Sequence, residues 1–278
     1  LDLGPGDQFV LKLCDQPIGG ARDIVVQFER ELAVLSQLAQ VQGIVPIVEY
    51  GYHGLVPYLV MPEMRESLGS VLKREGALAP AQAVALISPV ARVLTAAHAR
   101  GIYHRDIRPS NVLVDEHGGL ALTDFGIAVL SDSPRVTAPA ELVGYRPFMS
   151  PEALSGLPAD ADSDLWMLSC TLFQMVTGVE PFGRAHRHGR GAGTLIGADR
   201  VPMELKGFFG RAFNDRRERR FRNADAWLTE ACSSCGSTDH AAAEPRKSDV
   251  ENDRVLYVSL MAAIALGVLV IAFASLIR

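Results

Sequence analysis

Apolar and polar positions along the chain change their rhythm near residue 62. Before it, the run 8-QFVLKL-13 is apolar and β-prone and predicts a strand. Residues 23–40 set Val26, Ala33, Leu35 and Leu38 among charges, the pattern of an amphipathic helix. Two further β-prone runs, 46-PIVEYGY-52 and 55-LVPYLVM-61, flank a His-Gly turn. Beyond residue 66 the pattern becomes mostly helical. The segment 80-PAQAVALISPVARVLTAAHARG-101 opens on a proline and stops at a glycine, as helices prefer. The short runs 112-VLVD-115 and 120-LALT-123 flank Glu-His-Gly-Gly and predict a hairpin, and residues 160–178 and 202–231 predict more helices. The expected fold class is α+β, with a small β-rich lobe over 1–64 and a larger α-helical lobe over 65–231.

Two stretches leave this pattern. Residues 232–254 are polar, small and proline-containing, which predicts a flexible linker. Residues 255–277, VLYVSLMAAIALGVLVIAFASLI, carry no charge and no proline. As a helix this run reaches roughly 35 Å, enough to cross a hydrocarbon core of about 30 Å. It is expected to be a transmembrane helix with membrane lipid as its partner. Arg246, Lys247 and Arg254 precede it and Arg278 alone follows, so the charge bias puts the N-terminal region in the cytoplasm of a single-pass cell-membrane protein.

Composition narrows the field. The 278 residues leave room for two lobes around a sizeable core. A net charge of −5 argues against a dedicated nucleic-acid binder. Four scattered cysteines predict free thiols in a reducing compartment, and Cys232-Ser-Ser-Cys235 lacks the second half of a zinc site. The chain begins at Leu1 with no signal-peptide pattern, which points to a start further upstream.

The candidate chemistry sits in 103-YHRDIRPSNVLV-114. Asp106 is followed five positions later by the carboxamide of Asn111, a pair able to hold a reacting hydroxyl and a metal ion side by side. An ordinary polar turn between helix and strand would carry similar residues. The hairpin that follows brings 124-DFG-126 back beside this loop. Asp124 and Asn111 would then offer two oxygen ligands for Mg²⁺ against a nucleotide's phosphates, and Asp106 could accept a proton from an attacking hydroxyl.

These motifs carry a resemblance. Residues 104-HRDIRPSN-111 resemble the catalytic loop of bacterial Hanks-type serine/threonine protein kinases, 124-DFG-126 their magnesium loop, and 150-SPE-152 the end of their activation segment. The likeness spans roughly residues 8–231. It implies ATP and Mg²⁺ as cofactors and protein Ser/Thr hydroxyls as substrates, and it admits a second copy of the chain as a partner. It places Lys12 at the α- and β-phosphates with Glu31 as its helix partner, and Met61 at the gatekeeper position. The backbone of Glu63 and Met64, with Leu113, would meet the adenine. Asp164 becomes the brace of the catalytic loop, and Arg220 the partner of Glu152. Ser131, Ser133 and Thr137 in 127–149 are candidate phosphorylation sites, where an added phosphate could pair with the Arg105 guanidinium.

The sequence also departs from that family. No glycine-rich loop is recognisable in the eleven residues before Lys12, where 4-GPG-6 is a poor substitute. Val10 stands where alanine is usual, Arg108 where the catalytic-loop lysine is, Tyr145 where a threonine is, and Ser169 where a glycine is. Those changes keep open the alternative of a pseudokinase acting as a binding scaffold. Arg211, Arg216, Arg217, Arg219, Arg220 and Arg222 crowd 211–222. They read as a solvated helix boundary, with contact to anionic lipid as the alternative.

Overall fold

The computed structural model describes residues 8–13, 21–54, 56–125, 129–130, 146–182 and 195–236, all within one compact unit, Leu1–Asp239. The expected transmembrane segment 255–277, the candidate phosphosites and Tyr145 lie outside the described residues.

Strand β1 (Phe9–Leu13) and helix α1 (Ala21–Gln37) come first. They are followed by β2 (Glu49–His53) and β3 (Val56–Pro62). The three strands form an antiparallel sheet in the order β1-β3-β2, with Lys12 opposite Leu59 and Gly51 opposite Tyr58. Gly51 lies under the Tyr58 ring, where an added Cβ would stand 2.8 Å from the phenolic oxygen. Among the described side chains of α1 the buried ones are Phe28, Glu31 and Val34, continued by Leu38 just beyond the helix. Val26 falls outside that stripe and is 43% exposed, so it does not belong to the packing face expected for it.

The connection after β3 leads to β4 (Glu66–Ser67) and α2 (Leu68–Glu75). The Ser67 hydroxyl accepts the Ser70 N–H at 3.1 Å and caps α2. Helix α3 (Pro80–His98) starts on its proline and also carries Pro89 inside. An interior proline costs about 3 kcal/mol, yet Val84, Ile87, Val90, Ala91, Val93 and Leu94 are essentially fully buried around it. Each large aliphatic buried returns roughly 1.5–3 kcal/mol, so tertiary packing outweighs the lost bond. By length and composition α3 could cross a membrane, but here it is a core helix.

Next come β5 (Ile102–Tyr103), β6 (Val112–Val114), β7 (Leu120–Leu122) and β8 (Val129–Leu130). The pair β6–β7 is the expected hairpin and continues the β4 sheet, while β5 pairs with β8. Gly118 takes the left-handed φ of +82° that the tight turn needs. The remaining α-helices among the described residues are α4 (Pro151–Leu154), α5 (Ala161–Thr177), α6 (Lys206–Ala212) and α7 (Ala224–Ser234). Helix α7 runs past the expected boundary at 231 and buries Cys232, so the linker cannot begin at residue 232.

Helix α5 is buried on nearly every side, as a helix apolar all round must be. Its hydroxyls are satisfied along the helix: Ser169, Thr171 and Thr177 donate to the carbonyls of Leu165, Met167 and Phe173 at 2.7, 3.0 and 2.7 Å. Ser169, which stands where a glycine was expected, also accepts the buried Trp227 indole N–H at 2.8 Å and ties α7 to α5. Ser169→Ala would leave that indole without an acceptor. The expected loss is about 1–3 kcal/mol of unfolding free energy, read as a lowered thermal midpoint; an unchanged midpoint would show that the bond contributes nothing.

Candidate active site

Asp164, in the first turn of α5, has no solvent exposure. Its Oδ2 accepts the His104 backbone N–H at 2.9 Å and its Oδ1 the Arg105 N–H at 2.8 Å. His98 Nε2, at the end of α3, lies 2.9 Å from Oδ2 and supplies a third partner that sequence reasoning missed. These bonds hold the loop after β5 in a tight path in which Arg105 has a left-handed φ of +69°. A side chain there costs of order 1–2 kcal/mol, which the donors on Asp164 offset. Burial also pushes the Arg105 guanidinium below its usual range, against the opposing pull of Asp164.

His104 is fully buried and fixes the other side of the loop. Its Nε2 faces the Thr123 carbonyl at 2.9 Å, while its Nδ1 faces the Asp106 N–H at 3.3 Å. A carbonyl only accepts, so Nε2 carries the proton and Nδ1 receives one. The ring meets Phe125 edge-on, with centroids 4.7 Å apart.

Asp106 and Asn111 come together as their spacing predicts. Asn111 Nδ2 donates to the Asp106 main-chain oxygen and to Oδ2, both at 2.8 Å. Two acceptors on one nitrogen fix the amide's orientation and turn Asn111 Oδ1 away from Asp106. Arg108 Nε lies 3.5 Å from the same Oδ2, so the arginine occupies the neighbourhood expected of it. Across the hairpin the Asn111 carbonyl accepts the Thr123 N–H at 3.0 Å, which sets Asp124 one residue from the Asn111 backbone. Asp124 has a left-handed φ of +62°.

Lys12 joins this loop to the β1 sheet. Its Nζ donates to Glu31 Oε1 at 3.1 Å and to Asp124 Oδ1 at 2.8 Å. Burial lowers the ammonium's pKa, but the two carboxylates more than compensate, and the net shift is upward. The group therefore stays charged throughout the physiological range.

Leu113 lies in β6 opposite Ala121, and Met61, next to last in β3, lies opposite Val10. The Glu63 N–H donates to the Gln8 carbonyl at 2.8 Å. A cleft lined by Gln8, Phe9, Pro62, Glu63, Met64, Arg65 and Glu116 opens beside this connection. Its lining includes none of Lys12, Asp106 or Asp124.

Farther off, Arg220 Nη1 bonds both Glu152 oxygens at 3.0 Å, and Arg220 Nε donates to the Asn214 carbonyl at 2.8 Å. Both side chains are almost wholly buried, and the guanidinium lies 4.6 Å over the Trp166 ring. This is not the solvated ion pair that charged residues usually form. Breaking a buried pair of this kind costs several kcal/mol.

The chain belongs to the protein kinase domain family, whose model matches residues 6–215. Serine/threonine-protein kinase PkaB of Streptomyces coelicolor is 36% identical over 195 residues, covering 67% of this chain and 46% of that protein. PkaA of the same organism is 37% identical over 183 residues, or 64% of this chain and 34% of the relative. Serine/threonine-protein kinase PknH of Mycobacterium tuberculosis is 37% identical over 171 residues, or 61% of this chain and 26% of the relative. The chain thus spans less than half the length of these relatives.

Asp164→Asn tests the brace. An amide presents one oxygen where the carboxylate presents two, so one of the two loop N–H groups would face an NH₂. The expected result is faster hydrogen exchange at the His104 and Arg105 amides, with a stability loss of about 1–3 kcal/mol. Unchanged exchange at both amides would remove Asp164 from this role.

Proposed function

We propose that this chain is a serine/threonine protein kinase, moving the γ-phosphoryl group of ATP to Ser or Thr hydroxyls of proteins. The carrying observation is the junction at Asp124: Lys12, paired with Glu31, bonds Asp124, whose neighbour Thr123 is bonded to the Asn111 that holds Asp106. The β-rich lobe through Met64 and the helical lobe from Arg65 would close around the nucleotide, with Met61, Glu63, Met64 and Leu113 at the adenine.

In this reading Asp106 accepts the proton of the attacking hydroxyl as its oxygen bonds to the γ-phosphorus and the bond to the bridging oxygen breaks, releasing ADP. Asn111 holds Asp106 by its amide nitrogen, and Lys12 offers charge to the phosphates. The residues fit a magnesium ion. Asp124 is 45% exposed with one oxygen on Lys12, and Asn111 Oδ1 meets only a weak 3.3 Å contact from Ser110 Oγ among the described contacts. Both are the hard oxygen donors that Mg²⁺ prefers, leaving the remaining positions to phosphate and water. The ion would neutralise charge on the phosphates. Arg108 keeps a positive charge beside Asp106, though its planar fork is bulkier than an ammonium. Lys12, Glu31, Asp106, Asn111 and Asp124 are all present and paired, which supports catalysis over a non-catalytic scaffold.

The uncharged run 255–277 supports a membrane-anchored kinase with its catalytic unit in the cytoplasm, where ATP is available. Phosphorylation of Ser131, Ser133 or Thr137 would supply an anion able to pair with Arg105.

Asp106→Asn is expected to lower phosphoryl transfer by roughly 10²–10⁴-fold, with little change in ATP affinity, since it removes the hydroxyl's acceptor and no phosphate contact. Transfer rates and nucleotide binding measured on the same preparations check this; full turnover by the variant would overturn the assignment. Deleting residues 255–278 should move the protein from the membrane to the soluble fraction with its thermal midpoint retained. Recovery of that deletion solely as aggregate would mean the run is a buried helix.

A further inference from the structure

The arginines between Arg211 and Arg222 fall into two groups. Arg211 meets Glu230 at 2.5 Å, Arg217 is held by Asp160 and Asp162, and Arg220 by Glu152. Arg216, Arg219 and Arg222 are exposed, and among the described residues their side chains have no ion-pair or hydrogen-bond partner. Their backbone is nonetheless pinned. The Asn214 side chain accepts the Arg216 N–H at 3.0 Å, and the Arg219 N–H reaches the Arg216 carbonyl at 3.0 Å. Phe221 packs against Phe208 at 5.0 Å beneath the Arg211 guanidinium. The turn over Arg217–Arg219 is a 3₁₀ helix. Arg216 is its N-cap residue, and the bond from Arg219 back to the Arg216 carbonyl keeps the two residues close together. Asp215 and Glu218 are the carboxylates within this stretch, and Asp225 beyond it accepts the Thr95 hydroxyl at 2.8 Å.

We propose that Arg216, Arg219 and Arg222 form a docking face for the anionic phosphate headgroups of the membrane. The inference rests on reading 255–277 as the anchor. Only residues 235–254 separate the end of α7 from that run. At no more than about 3.6 Å per residue, a stretch of this length spans at most roughly 70 Å, which tethers the unit close to the bilayer surface. Arg246, Lys247 and Arg254 in the same stretch carry the matching sign. The planar guanidinium fork suits a phosphodiester, and rigid display spares the entropy of ordering a loose tail. An acidic protein could meet the same charges, but the chain brings a membrane to them and no such protein. Each basic side chain at an anionic surface strengthens contact roughly fivefold, so the three together contribute on the order of a hundredfold.

The test uses the full chain reconstituted in phosphatidylcholine vesicles with or without phosphatidylglycerol. A photoactivatable group on the lipid headgroup allows crosslinks to be mapped by mass spectrometry. With phosphatidylglycerol, crosslinks should appear at 214–223 as well as 246–254, and an Arg216→Gln, Arg219→Gln, Arg222→Gln variant should lose the first set by roughly tenfold or more while keeping the second. An unchanged thermal midpoint establishes that the variant is folded. Crosslinks confined to 246–254 would overturn the docking face and leave the anchor standing, and so would a first set that is indifferent to phosphatidylglycerol or to the triple substitution. Extraction of the whole chain by alkaline carbonate would refute the anchor itself, and with it this face's reason to meet a bilayer.

Discussion

One buried carboxylate organises the site. Asp164 sits where water cannot reach it, and an ion there is tolerated only if donors surround it. Two of those donors are the successive backbone N–H groups of His104 and Arg105, and the third is the His98 ring. Satisfying the carboxylate therefore dictates the path of the loop. That path forces Arg105 into the left-handed region and aims Asp106 at Asn111. The rigid α5 helix thus specifies the direction of a side chain some sixty positions earlier in sequence. A strained residue at such a place is held by its surroundings rather than by its own preference.

Lys12 performs a second kind of joining. The ammonium touches carboxylates from α1 and from Asp124, two residues past β7, and neither contact is local in sequence. Burial opposes its charge and the two anions restore it. A neutral residue at Lys12 would leave Glu31 and Asp124 facing each other without a cation. The same logic holds at Glu152 and Arg220, where both partners are buried and each is the other's justification.

What could be read from the sequence follows the range of the interaction. The β6–β7 hairpin was legible because its turn residues and alternation are local, and Asp106 with Asn111 because their spacing is. Lys12, Glu31, Asp164 and the Glu152–Arg220 pair were reached only through family resemblance, since their contacts cross long stretches of chain. His98 escaped because a histidine in the last turn of a helix has an ordinary local reason to be there, next to the carbonyl ends. Ser169 read as a departure from pattern, while its reason, the Trp227 indole, lies on another helix. Val26 was assigned to a buried face by its apolarity alone, and Cys232 to a linker by its polar neighbours; packing reversed both.

The burial of α5 contrasts with the exposure of β1, where Val10, Leu11 and Leu13 are 44%, 57% and 51% accessible. Local opening of a structure is easiest where few apolar side chains are covered. The two sides of the site therefore rest on ground of unequal firmness. Asp106 and Asn111 are braced by the buried α5, whereas Lys12 stands on the more exposed strand β1. A ligand gripping both sides would draw part of its binding energy into holding that strand in place, and the strand's order would become a measure of occupancy.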